Sequence, residues 1–226
     1  MGRRSVHSPD ELRQLILTSA RTIIEKNGLP GLSAREIAKL IGYSPGTLYN
    51  IFENLDDVLL NLQITTFSEM HHVLASTPAG ATPELSIDAL TDAYVEYALD
   101  NRQMWNLLFA HQLQEGSTVP PALHTQFSNC MDVIQNAIKP LMSSYSTQQD
   151  LISTAYSLWA GVHGITAVAV TQKGQKITAL TVRDHVRRLT SMYLAGLRVH
   201  TARQCAMGAA AVGKPTFSSP PSPVDD

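Results

Sequence analysis

Helix starts and stops crowd the first quarter of this chain, and their spacing leaves room only for short helices packed at angles. Ser8-Pro9-Asp10-Glu11 reads as a capping box with proline in the first helical position. It predicts a helix whose apolar residues Leu12, Leu15, Ile16, Ala20, Ile23 and Ile24 share one face, stopped at Asn27-Gly28. Ser33-Ala34-Arg35-Glu36 reads as a second capping box, opening a helix through Ile37, Leu40 and Ile41 that Gly42 ends. Ser44 reads as the cap of a third helix, with Pro45 in its first turn and an end near Phe52. Asn54 caps a fourth, with Asp56 and Asp57 beside its positive end, and this one reaches about Ala75.

Strand signals are nearly absent further on. A loop over Thr77–Pro83 marks a composition shift, and helices follow at about 84–100, 102–114, 121–143, 148–171 and 182–204. The chain therefore reads as all-α, divided at 1–54 and 55–204. A disordered tail over 205–226 holds Pro215, Pro220, Pro221 and Pro223.

Charge is uneven between these parts. Residues 1–54 hold seven Lys or Arg against five acids, while residues 55–226 hold ten against fourteen. That is mild support for an anion-binding module at the front. The uncharged stretch between Asp150 and Lys173 is long enough to span a bilayer. Its Ser, Thr, Tyr and His residues, and the lack of a flanking basic cluster, favour a helix buried inside a soluble protein. Cys130 and Cys205 match no metal or redox spacing, and no apolar run follows Met-Gly-Arg-Arg-Ser at the start. A reduced cytosolic protein without metal or cofactor is the expectation.

Two short helices joined by a tight turn make a helix-turn-helix, whose second helix enters the DNA major groove. Ser44, Pro45 and Gly46 keep the leading turn slim, and Gly46 permits close backbone approach. Ser44, Thr47 and Tyr49 offer hydroxyls to phosphates or bases, and Asn50 stands beside them. Leu48, Ile51 and Phe52 face inward. Geometry alone leaves open a plain helical hairpin in an all-α core.

These residues also carry a resemblance. Ala20, Gly28, Ser33-Ala34-Arg35-Glu36-Ile37-Ala38, Gly42-Tyr43-Ser44-Pro45-Gly46-Thr47-Leu48-Tyr49 and Phe52 resemble the DNA-binding domain of tetracycline-repressor (TetR) family regulators over residues 9–60. The resemblance implies a three-helix DNA-binding domain and an all-α C-terminal domain that dimerises and binds an inducer. It adds Ser33, Ala34 and Tyr43 to the candidate DNA contacts. Family members commonly follow the phenylalanine with a Ser-Lys pair that anchors phosphate, whereas this chain has Asn54-Leu55. The N–H groups at that helix start still offer a phosphate perch, weakened by Asp56 and Asp57. Affinity then leans on Arg3, Arg4, Arg35 and Lys39. "SLWAGVHGI", residues 157–165, is similar to the Trp-His-Gly signature of one subclass of TetR-type C-terminal domains.

In the last helix Val182, Val186, Leu189, Tyr193, Gly196 and His200 repeat like a heptad seam. With Gly161 and Gly164 on the uncharged helix before it, they form the candidate interface of a homodimer. The alternative is one helix packing on its own domain. Candidate inducer contacts are Phe67, Met70, His71, Tyr94, Tyr97, Trp105, Phe109, Gln112, Phe127 and Met131, with Trp159 and His163. Each of these is also an ordinary core position at helical spacing; mostly apolar walls suit a small hydrophobic or aromatic ligand. The expected protein is a repressor that leaves an inverted-repeat operator when the long fourth helix shifts. A helical protein-binding module without DNA affinity is the rival. An enzyme is disfavoured: no His-Glu-x-x-His, Gly-x-Ser-x-Gly, phosphate loop or dinucleotide fingerprint occurs, and the neighbours His71 and His72 point apart on a helix.

Overall fold

The structure, a computed structural model, describes residues 7–112, 118–171 and 179–212. Arg3 and Arg4 lie outside the described residues, as does the tail beyond Val212. The described residues fold into nine α-helices: α1 (Pro9–Asn27), α2 (Ala34–Ile41), α3 (Pro45–Leu48), α4 (Leu55–Ser76), α5 (Pro83–Asp100), α6 (Arg102–Ala110), α7 (Pro121–Ile138), α8 (Gln148–Thr171) and α9 (Ala179–Val212). None of them is long and apolar enough to cross a membrane.

The caps set the early helices. Ser8 and Glu11 exchange both bonds of a capping box at α1. At α2 only one half of the expected box forms: Ser33 Oγ accepts from the Glu36 N–H at 3.2 Å. Gly42 ends α2 at φ 74°, a left-handed conformation that costs glycine nothing. Ser44 does not cap α3 with its side chain; its hydroxyl pairs with that of Thr47 at 3.0 Å.

Four ends differ from expectation, each for a local reason. α3 stops at Leu48 because the following N–H groups turn to nearer carbonyls, Ile51 to Leu48 at 3.0 Å and Asn50 to Thr47 at 3.3 Å. α6 ends at Ala110, where the Gln63 amide has taken the Leu107 carbonyl at 2.9 Å. α7 gives way at Pro140, which has no N–H to continue the ladder, to a single 3₁₀ turn over Lys139–Leu141. α9 continues to Val212, through eight residues expected in the tail. Residues 205–212 include four alanines, the best helix formers, and no proline.

Two cores result. The smaller is built from Leu12, Ile16, Ile24, Ile37, Leu48 and Phe52 with Val58, Leu59 and Leu62 of α4 and Met104 and Leu107 of α6. The larger runs from Phe67 of α4 to Leu197 of α9. α4 and α6 each lend one segment or face to both.

Candidate nucleic-acid interface and ligand cavity

Leu48 is fully buried and Phe52 nearly so, and together they anchor α3 to the small core. The Arg13 guanidinium lies 4.5 Å from the Phe52 ring centroid and donates to Asn61 Oδ1 at 2.7 Å, tying α1 to α4 and to the segment that follows α3. With its apolar side held, the turn projects the rest outward. Ser44, Pro45, Gly46 and Asn50 are exposed, Thr47 is half-buried, and Tyr49 is 52% exposed. Gly46 has an ordinary negative φ, and a Cβ there would meet nothing nearer than Ser44 Oγ at 3.8 Å. Nothing in the protein asks for glycine at that position.

Around this turn, Arg35 and Lys39 are exposed on α2, and neither forms an ion pair among the described residues. Ser33 and Ala34 sit half-buried at the start of α2. Tyr43 is half-buried, its hydroxyl 2.7 Å from His7 Nδ1, which places it as a brace for the turn. The start of α4 is closed by its own side chains. Asn54 Oδ1 accepts from the Asp57 N–H at 2.9 Å, and Asp57 Oδ2 accepts from the Glu53 N–H at 3.2 Å. One N–H of the phosphate perch expected there, that of Asp57, is thus taken by the cap.

In the body, most of the candidate ligand residues stack on one another. The His163 ring lies between Trp105 and Trp159, 4.9 and 5.1 Å away and close to parallel, with Phe109 at 4.2 Å. Phe127 meets Trp159 and Phe67 edge-on, and Met70 and Met131 fill the same core. The Tyr94 hydroxyl bonds His163 Nδ1 at 2.9 Å. Burial pushes the Tyr94 phenol up and the His163 imidazole down, so both are neutral at pH 7. Trp105 Nε1 is buried and makes no hydrogen bond within 3.5 Å among the described residues.

Tyr97 stands apart, donating to the Thr66 carbonyl at 3.1 Å beside the Arg21–Glu69 pair. His71 is half-buried and Gln112 exposed past α6. The cavity itself is small, about 30 Å³, and only Tyr94 and Trp159 of the candidates line it. Its other walls, among them Leu74, Ile87, Leu90, Ile134 and Leu158, were invisible as a site because aliphatic spacing of this kind is what any helical core shows.

Residues 16–62 match the family described as bacterial regulatory proteins, tetR family, and residues 87–193 match the tetracyclin repressor-like C-terminal domain. The chain belongs to the TetR family of transcriptional regulators. No curated protein matches it. Among solved structures, a protein of unknown function from Rhodococcus sp. RHA1 superposes with a TM-score of 0.68 at 22% identity, covering 87% of this chain and 100% of that one. A TetR-family regulator from Mesorhizobium loti gives 0.63 at 15% identity, over 84% and 98%. The fatty acid degradation regulator FadR of Bacillus halodurans gives 0.62 at 16%, over 86% and 99%. At such identities the likeness is one of fold.

In this TetR-family regulator the candidate dimer residues divide. Val182 and Val186 are buried in the protomer's own core, and Tyr193 donates to the Thr154 carbonyl at 2.8 Å. A Cβ on Gly161 would lie 2.7 Å from Leu189 Cδ2, so this glycine serves α8–α9 packing within one chain. The heptad-like seam is therefore mainly intramolecular, since α9 has to cover its own domain before it can meet another. Gly164, Gly196 and His200 are exposed, and no atom lies within 4 Å of a Cβ built on either glycine. An open groove between α8 and α9, lined by Ile165, Val168, Leu189 and Met192 with His185 and Arg188, continues that face.

Proposed function

We propose that this regulator binds an inverted-repeat operator in double-stranded DNA as a homodimer, represses transcription there, and is released by a small hydrophobic ligand held in the C-terminal body. The carrying observation is the turn Ser44–Asn50. Leu48 within it and Phe52 just after it are buried, Ser44, Tyr49 and Asn50 are exposed, and Gly46 is small where the fold makes no demand. A slim, hydroxyl-bearing helix start is what a major groove about 12 Å wide admits.

Arg35 and Lys39 supply phosphate contacts beside the turn, with Arg3 and Arg4 as further candidates in the preceding segment. One turn of helix reads few bases, so two copies related by a two-fold axis read two half-sites about 34–36 Å apart. The exposed apolar face around Gly164, Val168, Met192, Gly196 and Val199 is the surface for that second copy. The working compartment is the cytoplasm, where the DNA is, and the role is binding rather than catalysis.

Duplexes selected from a random pool supply the test. The wild type retards the selected duplex, with affinity falling steeply as salt rises. Tyr49→Ala and Thr47→Ala lose that binding while circular dichroism and gel-filtration mass stay unchanged. Retained binding in both variants would remove the assignment, and salt-insensitive wild-type behaviour would point to a protein-binding module instead.

A further inference from the structure

The far end of α4 holds a second space that meets the first. α4 spans about 33 Å at 1.5 Å per residue, so its last turn lies well away from the DNA-facing turn. There the 77–83 loop, the first turns of α5 and the end of α7 frame an open groove of about 430 Å³. Leu74, Leu90 and Ala137 line both this groove and the 30 Å³ cavity beneath it. The two spaces share these three apolar walls, and parting them would join the spaces into one channel.

The loop at the mouth is fixed in place. The Gly80 N–H donates to Ser86 Oγ at 3.0 Å, and Ser86 Oγ donates to the Thr82 carbonyl at 3.1 Å. A Cβ on Gly80 would lie 2.5 Å from Leu85 Cβ and 2.7 Å from the Leu85 carbonyl carbon. Only glycine lets the loop lie this close on α5.

The chemistry of the channel selects its occupant. The inner cavity exposes no polar surface, and the polar atoms of its two hydroxyl residues are committed: Thr91 donates to the Asp88 carbonyl, and Tyr94 bonds His163. At 30 Å³ it is far below the roughly 150 Å³ of a cavity that takes benzene, yet roomy enough for the end of a chain. No Asp, Glu, Lys, Arg or His side chain lines either space, so a charged group would be desolvated without a counter-charge. At the mouth the hydroxyls of Thr77, Thr82 and Ser86 already hold backbone partners, which leaves the exposed Asn136 and the loop peptides for a ligand's head.

Resting on the ligand-responsive reading above, we propose that the ligand is an uncharged linear amphiphile. Its apolar chain passes Leu74, Leu90 and Ala137 into the inner cavity, and its neutral polar head stays at the mouth beside Asn136.

Linear primary alcohols are the probes, with octanoate, decanoate and decylammonium as charged counterparts and 1-naphthol as a ring. Trp105 and Trp159 are the only tryptophans in the chain, and Trp159 lines the cavity, so intrinsic emission reports occupancy alongside calorimetry. Each methylene added up to 1-decanol tightens binding about fourfold, and decanoate and decylammonium bind at least about tenfold more weakly than 1-decanol. Asn136→Trp, a change at an exposed position, fills the mouth and weakens 1-decanol at least about tenfold with the helical signal unchanged. Phe109→Leu, on the aromatic side, leaves it unchanged. Equal binding of alcohol and carboxylate, tighter binding of 1-naphthol, or full binding to Asn136→Trp would each overturn the assignment. An alcohol that binds as described but does not release DNA supports the site and removes the ligand-responsive reading instead.

Discussion

Replacing Gly161 and Gly164 in turn by alanine separates packing within a protomer from packing between protomers. Both residues sit in the middle of α8, where alanine is favoured over glycine by about 1 kcal/mol. At Gly161 the new Cβ would stand 2.7 Å from Leu189 Cδ2, the free end of a flexible side chain. Turning Leu189 out of its rotamer well costs about 0.5–1.5 kcal/mol, so the two effects nearly cancel. The melting temperature of Gly161→Ala should move by less than about 4 °C for a chain of this size. Gly161→Leu adds carbons where Leu189 already is, and overpacking of about 1–3 kcal/mol should lower the melting temperature by roughly 2–12 °C. At Gly164 no atom lies within 4 Å, so alanine should raise the stability of an isolated protomer. If a second copy packs there, the same methyl group intrudes on it. Sedimentation should then show a weaker dimer for Gly164→Ala, with a melting temperature more dependent on protein concentration, and neither change for Gly161→Ala. Dimer weakening by Gly161→Ala with Gly164→Ala unaffected would refute the division of the seam described above.

Other expectations follow from single groups. Gln63→Leu leaves the Leu107 carbonyl buried without its side-chain partner, costing about 1–3 kcal/mol and read as a lower denaturant midpoint at unchanged slope. Burial depresses the His163 pKa below its unfolded value, so the unfolded chain takes up more protons. Stability is complete above about pH 6.5 and falls as the pH drops below it, and His163→Gln should flatten that part of the profile. Phe52→Ala removes the anchor of α3 at about 3–5 kcal/mol, and should abolish DNA retardation while gel filtration still shows a dimer.

Local chemistry made the small core legible in the sequence. Ser8, Ser33 and Asn54 each use the side chain as a cap, and Gly28 and Gly42 each take a positive φ, so three helices could be placed within a few residues. The projecting turn after α2 was legible because Leu48 and Phe52, which are buried, are set among the exposed Ser44, Tyr49 and Asn50. What the sequence hid is long-range. Nothing local distinguishes a valine that faces its own domain from one that faces a second copy, and Val182 and Val186 lie buried in the large core of their own chain. Of the aromatic candidates only Tyr94 and Trp159 line the 30 Å³ cavity, for the same reason. Aromatic residues drew attention because they are large, yet size lets them fill space, and the void lies among smaller aliphatic side chains that cannot.

The two cores share backbone, and that bears on how a ligand in one is felt in the other. α6 presents Met104 and Leu107 to the small core and Trp105 and Leu108 to the large one, so a rigid helix cannot shift on one side alone. Three polar ties reinforce this. Gln63 holds the end of α6 to α4, His111 Nε2 lies 3.0 Å from Asp56 at the start of α4, and Arg21 of α1 pairs with Glu69. A ligand wedged under Leu74 and Leu90 presses on α4 beyond Glu69, on the far side of all three ties from the DNA-facing turn. A coupling of only about 1–3 kcal/mol changes operator affinity by roughly 5–150-fold. Arg21→Ala, which cuts the tie nearest the cavity, should leave both 1-decanol binding and ligand-free DNA binding close to wild type while shrinking the effect of one on the other. An unchanged ratio of DNA affinities with and without 1-decanol would exclude the α1–α4 tie from the route.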